Sequence, residues 1–599
     1  MNRSAARLGS HALGVGISTA LLPVLLSVAS AHMAGAAGVV GTGTAASCTD
    51  AAFNGALTGG GVVTFDCGGA ATITVTSTKT ISTDTTIDGG GVITISGGHS
   101  VGVFSVNAGV KFTVQNLTIA NGSSTSHGGG GVGNSGTLTV TNSTFSGNSS
   151  DYSGGGIAST GTVSVSNSTF SGNSSASTTG GGGGIGNGGT LTVTNSTFSG
   201  NSSDYNGGGI ANSGTATVTS STFSGNSAAG TTGGGGGIGN SGTLTVTNST
   251  FSSNNSAGGG GAIGISSTGT ATVTNSTFSD NGSAGTTAGG GGVGNSGMLR
   301  VTNSTFSGNR ADYDGGGIGS SGAATVTNST FSGNSSASTT GGGGGIGNGG
   351  TLTVTNSTFS GNRADYDGGG IGSSGTGTVT NSTFSGNSAV HGGGIAAGAT
   401  LTVTNTIVAK STSGGNCTGS VTDGGHNIDD GTTCGFTGTG CTTTTGSSFC
   451  NTNPVLDPTG LQNNGGPTQT IALCTGPGAP SAGCTGASPA IDAGDESVCS
   501  TTTGTAPVDN LDQRGFVRPG AGAVNCSVGA FEANSASPCV GDCNGNGQVT
   551  VDEILTMVNI ALGNTPVTTC EAGDANHDGE ITVDEILTAV NNALNGCGG

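Results

Sequence analysis

The feature that most constrains this chain is a phenylalanine that returns at a nearly fixed interval. Phe145, Phe170, Phe198, Phe223, Phe251, Phe278, Phe306, Phe331, Phe359 and Phe384 sit in copies of the phrase TNSTFSGN, at steps of 25, 28, 25, 28, 27, 28, 25, 28 and 25 residues. A period in this range marks stacked units, each burying an apolar side against the next. Within one copy, Leu138 and Val140 alternate with Thr137, Thr139 and Thr141, the period of two of a half-buried strand. Phe145 falls on a second short strand after a turn at Asn142, and the run GGGI puts Ile157 at a third apolar position. Three short strands per coil make a parallel β-helix in which identical residues stack about 4.8 Å apart. The phenylalanines then form an internal ladder, and side chains of the Asn142 type are expected to bond to their copies above and below. Ile119 and Val408 occupy the Phe slot one coil before and one coil after, which gives about twelve aligned coils and roughly 55 Å of stack.

Low hydrophobicity (31%) and 128 glycines in 599 residues would alone suggest disorder. A disordered linker has no reason to keep an apolar period, so a folded solenoid is the reading. The net charge of −20, with only 10 Lys and Arg, excludes nucleic acid as a partner, because phosphate binding needs clustered cations. Cations are the natural ligands of such a chain.

Residues 1–31 read as a signal peptide: Arg3 and Arg7 precede a mostly apolar stretch ending in Ala29-Ser30-Ala31. No other stretch approaches the ~20 apolar residues needed to cross a bilayer. The mature chain is therefore expected to be secreted or surface-held, with no transmembrane segment after signal removal. Fourteen cysteines suit an oxidising compartment. Cys48 and Cys67 stand alone near the start and are expected to pair; the other twelve crowd between Cys417 and Cys597. The organisation read from this is an N-terminal cap with irregular coils (38–118), regular repeats (119–410), a Cys-rich region (411–533) and a small module (539–599).

All four tyrosines follow an aspartate in the same loop, as Asp151-Tyr152, Asp204-Tyr205, Asp312-Tyr313 and Asp365-Tyr366. Two coils would separate neighbours by roughly 10 Å on one side of the stack. Such a stripe could hold a glycan, with rings against sugar faces and carboxylates on hydroxyls; a recently duplicated solvated loop explains the same pattern. GIGNSG at Gly237–Gly242 satisfies a dinucleotide fingerprint but opens no helix. The glycine runs lack the Asp of calcium-binding nonapeptides. No loop gathers three carboxylates, so catalysis has no support in the repeats, and catalytic residues are expected to be none.

The tail carries the strongest chemical motif. Asp542, Asn544, Asn546, Gln548, Thr550 and Glu553 stand at positions 1, 3, 5, 7, 9 and 12 of a calcium loop with Gly547 at position 6. Asp574, Asn576, Asp578, Glu580, Thr582 and Glu585 repeat the set, with Gly579 at 6. Gln548 and Glu580 would offer backbone carbonyls and each terminal Glu two oxygens, so two calcium ions are expected. Each loop runs into an apolar-faced helix.

Alternating GGGI and FSGN phrases over about 128–408 resemble the repeats of chlamydial polymorphic outer membrane proteins, which implies a right-handed parallel β-helix. NNGGPTQTIAL, SPAIDAGD, DQRGFVRP and VGAFE, in that order, resemble the choice-of-anchor Q region that follows β-helices in exported bacterial proteins. Asp492, Asp495 and Asp512 in these segments are either turn formers or ligands. The tail resembles a dockerin, a paired half EF-hand, which implies a cohesin-like partner. It departs from that family in Glu553 and Glu585, where Asp is usual, and in Val551-Asp552 and Val583-Asp584, where small hydroxyl residues are usual. The sequence thus describes an all-β, right-handed β-helical solenoid with a Cys-rich flank and a small α-helical calcium module. Its expected role is non-catalytic contact with a cell-surface glycan or protein; the alternative is a secreted polysaccharide hydrolase or lyase.

Overall fold

The computed structural model describes residues 36–126, 128–231, 234–285, 289–502, 504, 508–535, 539–544, 548–575 and 579–596. The leader at 1–31, and Asn546, Gly547, Asn576, Asp578 and Cys597 of the tail, lie outside them.

One coil shows how the repeat folds. Ile157–Ser159, Thr162–Ser166, Thr169–Ser171 and Ser174–Ser175 are four short strands in sequence. Each pairs in parallel with its counterpart in the next coil: Ile157 with Ile185, Thr162 with Thr190, Phe170 with Phe198, Ser174 with Ser202. The coil therefore has four sides where the sequence suggested three. The extra side is a ten-stranded sheet of two-residue strands. Its Ser-Ser pairs show no apolar alternation, so no period announces it.

The phenylalanines stack as expected. Centroids of successive rings lie 4.8 Å apart from Phe145 to Phe170 and 4.5 Å apart from Phe359 to Phe384, with planes within 9° and 2° of parallel. The column continues through Ile73 and Ile95 before Ile119 and through Asp429 after Val408, so the stack is longer than twelve coils.

The asparagine ladder expected of the Asn142 type forms only in part: Asn195 Nδ2 donates to Asn167 Oδ1 at 2.6 Å and Asn142 Nδ2 to Asn116 Oδ1 at 3.4 Å. The continuous ladder belongs to the last residue of FSGN. Asn148 Nδ2 donates to Asn173 Oδ1 at 2.9 Å and to the Ile119 carbonyl at 3.0 Å, while the Asn148 N–H also donates to Asn173 Oδ1. The same amide-to-amide link recurs up to Asn362 and Asn387. These asparagines are buried, where an unmatched amide is costly, so the ladder has to saturate them. Asn142 and its copies sit at the corner before the Phe strand with φ near +50° (47° at Asn142, 49° at Asn167), a conformation Asn tolerates better than most residues; Asn142, Asn167, Asn195 and Asn248 are exposed there, whereas Asn303, Asn356 and Asn381 are buried. The GGG run has a packing cause. A Cβ on Gly208 would lie 2.4 Å from the Ser227 carbonyl, and one on Gly209 would lie 2.7 Å from the Gly237 carbonyl and 3.0 Å from the Phe223 ring.

The N-terminal end of the stack is covered. Helix α1 (Asp50–Leu57), capped by Thr49, closes the N-terminal end. It buries Phe53, whose ring meets Phe104 edge-on at 6.2 Å, and the Cys48–Cys67 disulfide forms beside it. A covered end leaves no free ladder edge for another chain.

At the other end the Cys-rich flank, held by the pairs 417–434, 441–450, 474–484 and 499–526, does not project. It folds back along the Phe-strand side of the last coils. Thr330 Oγ1 donates to the Gln469 carbonyl at 2.5 Å, Thr358 Oγ1 to Gln513 Oε1 at 2.6 Å, and the Ala530 N–H to Thr383 Oγ1 at 3.0 Å. These three threonines are buried, whereas the same position is exposed at Thr222, Thr250 and Thr277. A four-residue helix, α2 (Glu496–Cys499), lies in this flank. The tail contains α3 (Val551–Ala561) and α4 (Val583–Asn595), packed on Met557, Ile560, Ile581 and Ala589 and joined by Cys543–Cys570. Cys539 is also disulfide-bonded. Among the described residues no helix is long and apolar enough to cross a membrane.

Candidate functional site

Two grooves run along the side of the solenoid bearing the Ile strands. The first, about 1110 Å³, extends from Thr78 to Ser266 and includes Tyr152 and Tyr205 in its wall. The second, about 570 Å³, includes Tyr313 and Tyr366. Their floor is the middle residue of each Ile strand, which is Gly or Ala: Gly133, Ala158, Gly186 and Ala211 in the first groove. The residue after each tyrosine folds over a neighbouring coil. Ser153 lies over Gly186, Asn206 over Gly239 and Asp314 over Gly347, each too close to admit a Cβ there.

The tyrosines thus divide into two pairs, one per groove, rather than forming a single stripe. Their aspartates do not line either groove. Asp151 and Asp204 are exposed, and Asp312 and Asp365 pair with Arg310 at 3.2 Å and Arg363 at 2.6 Å on the open surface. Exposed pairs of this kind are worth roughly 0–1 kcal/mol.

The second groove holds groups that sequence reasoning passed over as ligands: Asp314, Asp367 and His391. His391 Nδ1 is 3.2 Å from Asp367, and its ring meets Tyr366 edge-on at 4.9 Å. Burial pushes the Asp314 carboxyl up to about 6, against a single hydrogen bond from Gly315 that acts to lower it. A carboxyl raised on folding binds more protons folded than unfolded. Stability contributed by Asp314 is therefore full below pH 3.8 and is lost as pH rises to about 6. Asp314→Asn is expected to melt about 1–2 °C higher than the parent at pH above 7 and with it near pH 3.8, read by calorimetry at both ends. Equal midpoints at high pH would contradict the burial argument.

The aspartates of the flank are structural. Asp512 accepts from the N–H groups of Arg514, Phe516 and Glu532 and from Arg514 Nε. Asp495 caps α2 through the Ser497 N–H, and Asp492 receives the N–H groups of Val524 and Asn525.

In the tail, Glu553 accepts from the Thr550 N–H and Oγ1, each at 2.8 Å, and from the Asn544 N–H at 3.2 Å. Burial raises this carboxyl, but the donors from Thr550 and Asn544 outweigh it and hold it below its usual value. Glu585 repeats the pattern with Thr582 and the Ala575 N–H, and Asp574 accepts from the Gly579 N–H at 2.8 Å, closing its loop. Asp542, Glu553, Asp574 and Glu585 are 6–7% exposed, in a segment with nine acidic residues and no Lys or Arg. Buried carboxylates in that setting call for a cation, and an all-oxygen donor set suits a hard one. Among the described residues no three His, Cys, Asp or Glu gather as a metal cluster; of the expected ligands, Asn546, Asn576 and Asp578 lie outside the described residues. The two helices also expose equivalent apolar residues: Val551, Leu555 and Leu562, matched by Val583, Leu587 and Leu594.

Stacked parallel coils closed at the N-terminal end by a helix, with grooves along one side, define a parallel β-helical solenoid. Residues 101–263 and 261–433 match the family model of the right-handed β-helix region. Together these spans exceed half of the chain, which belongs to that family. No curated protein and no solved structure matches it. The fold is shared by surface proteins and polysaccharide-degrading enzymes. Six disulfides among the described residues, none of whose cysteines is free, are consistent with an extracellular setting.

Proposed function

We propose that this protein is an exported, non-catalytic β-helical rod that contacts glycan or protein at a cell surface and carries a calcium-dependent attachment module. The repeats are of the polymorphic outer membrane protein type, the flank is a choice-of-anchor Q-like region, and the tail is a dockerin-like paired EF-hand. The observation that carries the reading is the register of Tyr152 with Tyr205, and of Tyr313 with Tyr366, in the walls of two side grooves. Rings held two coils apart on a rigid floor form a pre-organised contact surface that loses little entropy on binding. The test is a glycan and surface-protein array probed with the mature chain and with a variant in which all four tyrosines are alanine. Retained binding by that variant defeats the reading.

Two calcium ions bind through Asp542, Asn544, Asn546, Gln548, Thr550 and Glu553, and through Asp574, Asn576, Asp578, Glu580, Thr582 and Glu585. The repeated apolar residues of α3 and α4 offer a cohesin-like partner either half of the module. Titration of the mature chain is expected to show two calcium sites. EDTA is expected to lower the melting transition of the tail, since calcium at a hundredfold its Kd stabilises by about 2.7 kcal/mol per site. Glu553→Gln and Glu585→Gln should each remove one site. A chain that melts identically with calcium and with EDTA has no such sites.

One observation favours the alternative of a polysaccharide hydrolase: the second groove holds two carboxyls, Asp314 and Asp367, two coils apart, and burial holds Asp314 near the acidity of a general acid. Release of reducing ends from a polysaccharide, abolished by Asp314→Asn, would establish it.

A further inference from the structure

The two grooves differ in charge, and the difference selects a ligand. Among the described residues, those lining the first include no Asp, Glu, Lys, Arg or His, whereas Asp314, Asp367 and His391 line the second. The first groove is also the longer. Its lining runs through eight successive coils, from Thr80 and Ser105 past Asn134 and Asn187 to Ser241 and Ser266. At the strand spacing this is about 34 Å.

We propose that the first groove binds a neutral, unbranched polysaccharide chain lying parallel to the rod axis. This deepens the glycan-contact reading and rests on it. Four features converge. The floor residues are all Gly or Ala, and apart from Gly186, which Ser153 covers, those at Gly133, Ala158 and Ala211 project almost nothing into the groove. The lining is rich in Ser and Thr hydroxyls, which donate and accept and so match sugar hydroxyls in either sense. Tyr152, 52% exposed, and the half-buried Tyr205 present aromatic faces two coils apart, comparable with the span of a disaccharide unit. The negative face of each ring attracts the C–H face of a sugar. Finally, a chain of net charge −20 repels a polyanion, and the described residues of the groove supply no cation to offset that repulsion and no anion to hold a polycation. An unbranched chain fits best, because a branch would have to pass Ser153 and Asn206, which fold over the floor at Gly186 and Gly239.

The experiment measures binding of the mature chain to soluble neutral unbranched glucan, mannan and xylan fragments, beside polygalacturonate and chitosan oligomers, at low and high salt. At least one neutral polymer is expected to bind, with affinity unchanged by salt because no charges are engaged. Tyr152→Ala/Tyr205→Ala should weaken it about tenfold or more, and Met298→Ser, at an exposed position outside both grooves, should leave it unchanged. Melting curves matching the parent show that the variants fold. Preference for polygalacturonate or chitosan, or full binding by the Tyr152/Tyr205 variant, overturns this assignment while glycan contact stands. No binding to any polymer overturns both.

Discussion

Replacing Arg518 with methionine is expected to cost about 3–5 kcal/mol and to loosen the C-terminal flank from the rod. Arg518 has no exposed surface; its guanidinium donates to the Ser527 carbonyl at 2.8 Å and the Gly529 carbonyl at 2.7 Å, and lies 3.6 Å from Glu532, itself fully buried. Glu532 in turn accepts from the Ser527 N–H at 2.7 Å, from Ser527 Oγ at 2.8 Å and from the Gly520 N–H at 3.1 Å. Removing the cation strands a carboxylate in the interior, and that penalty exceeds the worth of the pair itself. Arg518→Met/Glu532→Gln should therefore recover part of the loss, a coupling that a double-mutant cycle reads directly. The neighbouring Asp512 and Arg514, 2.7 Å apart, hold the same loops and keep the damage local. Limited proteolysis should cut the single variant in the flank before the rod. Parent-like resistance together with a parent-like melt would show that the buried pair holds nothing.

The second large effect lies in the phenylalanine column. Phe251→Ala is expected to cost about 3–5 kcal/mol, through lost burial and the cavity left behind. Phe251 is fully buried, with Phe223 at 4.8 Å and Phe278 at 4.9 Å. The backbone cannot collapse to fill the space, because the ladders on every side fix the coil spacing. Since each coil touches only its neighbours, the defect should uncouple two halves of the stack. Hydrogen exchange is the measurement: protection should fall most in the coils of Phe223, Phe251 and Phe278 and recover away from them. A uniform fall along the rod would mean that the solenoid unfolds as one unit instead.

Much of the rod was legible because its information is local and repeated. Leu138 and Val140 alternate with threonines, and Phe145 recurs at one interval; both patterns state a strand and its partner without any knowledge of distant residues. The fourth side of each coil was not legible, because Ser174-Ser175 looks like any polar turn. Which asparagine column carries the continuous ladder was not legible for a related reason. Asn142 and Asn148 recur with the same period, and only the backbone path separates a corner residue in a left-handed conformation from an inward-facing amide. The tyrosines and the acids beside them are legible, but not where those acids lie: Asp314 reads as part of a solvated loop until the next coil places Gly347 beneath it.

The sequence by itself determined the solenoid, its coil length, its aromatic column, the Cys48–Cys67 bridge and the duplicated acidic loops of the tail, since each is written as a short pattern. Tertiary structure alone decided that the flank lies back along the rod, that Thr330 is buried while Thr250 is exposed, and that four tyrosines divide between a neutral groove and a charged one. Those outcomes depend on contacts such as Gln513 with Thr330, 183 residues apart, and on the stacking of loops that are not adjacent in sequence. No local period encodes such contacts; they exist only once the ladders have fixed where each coil stands.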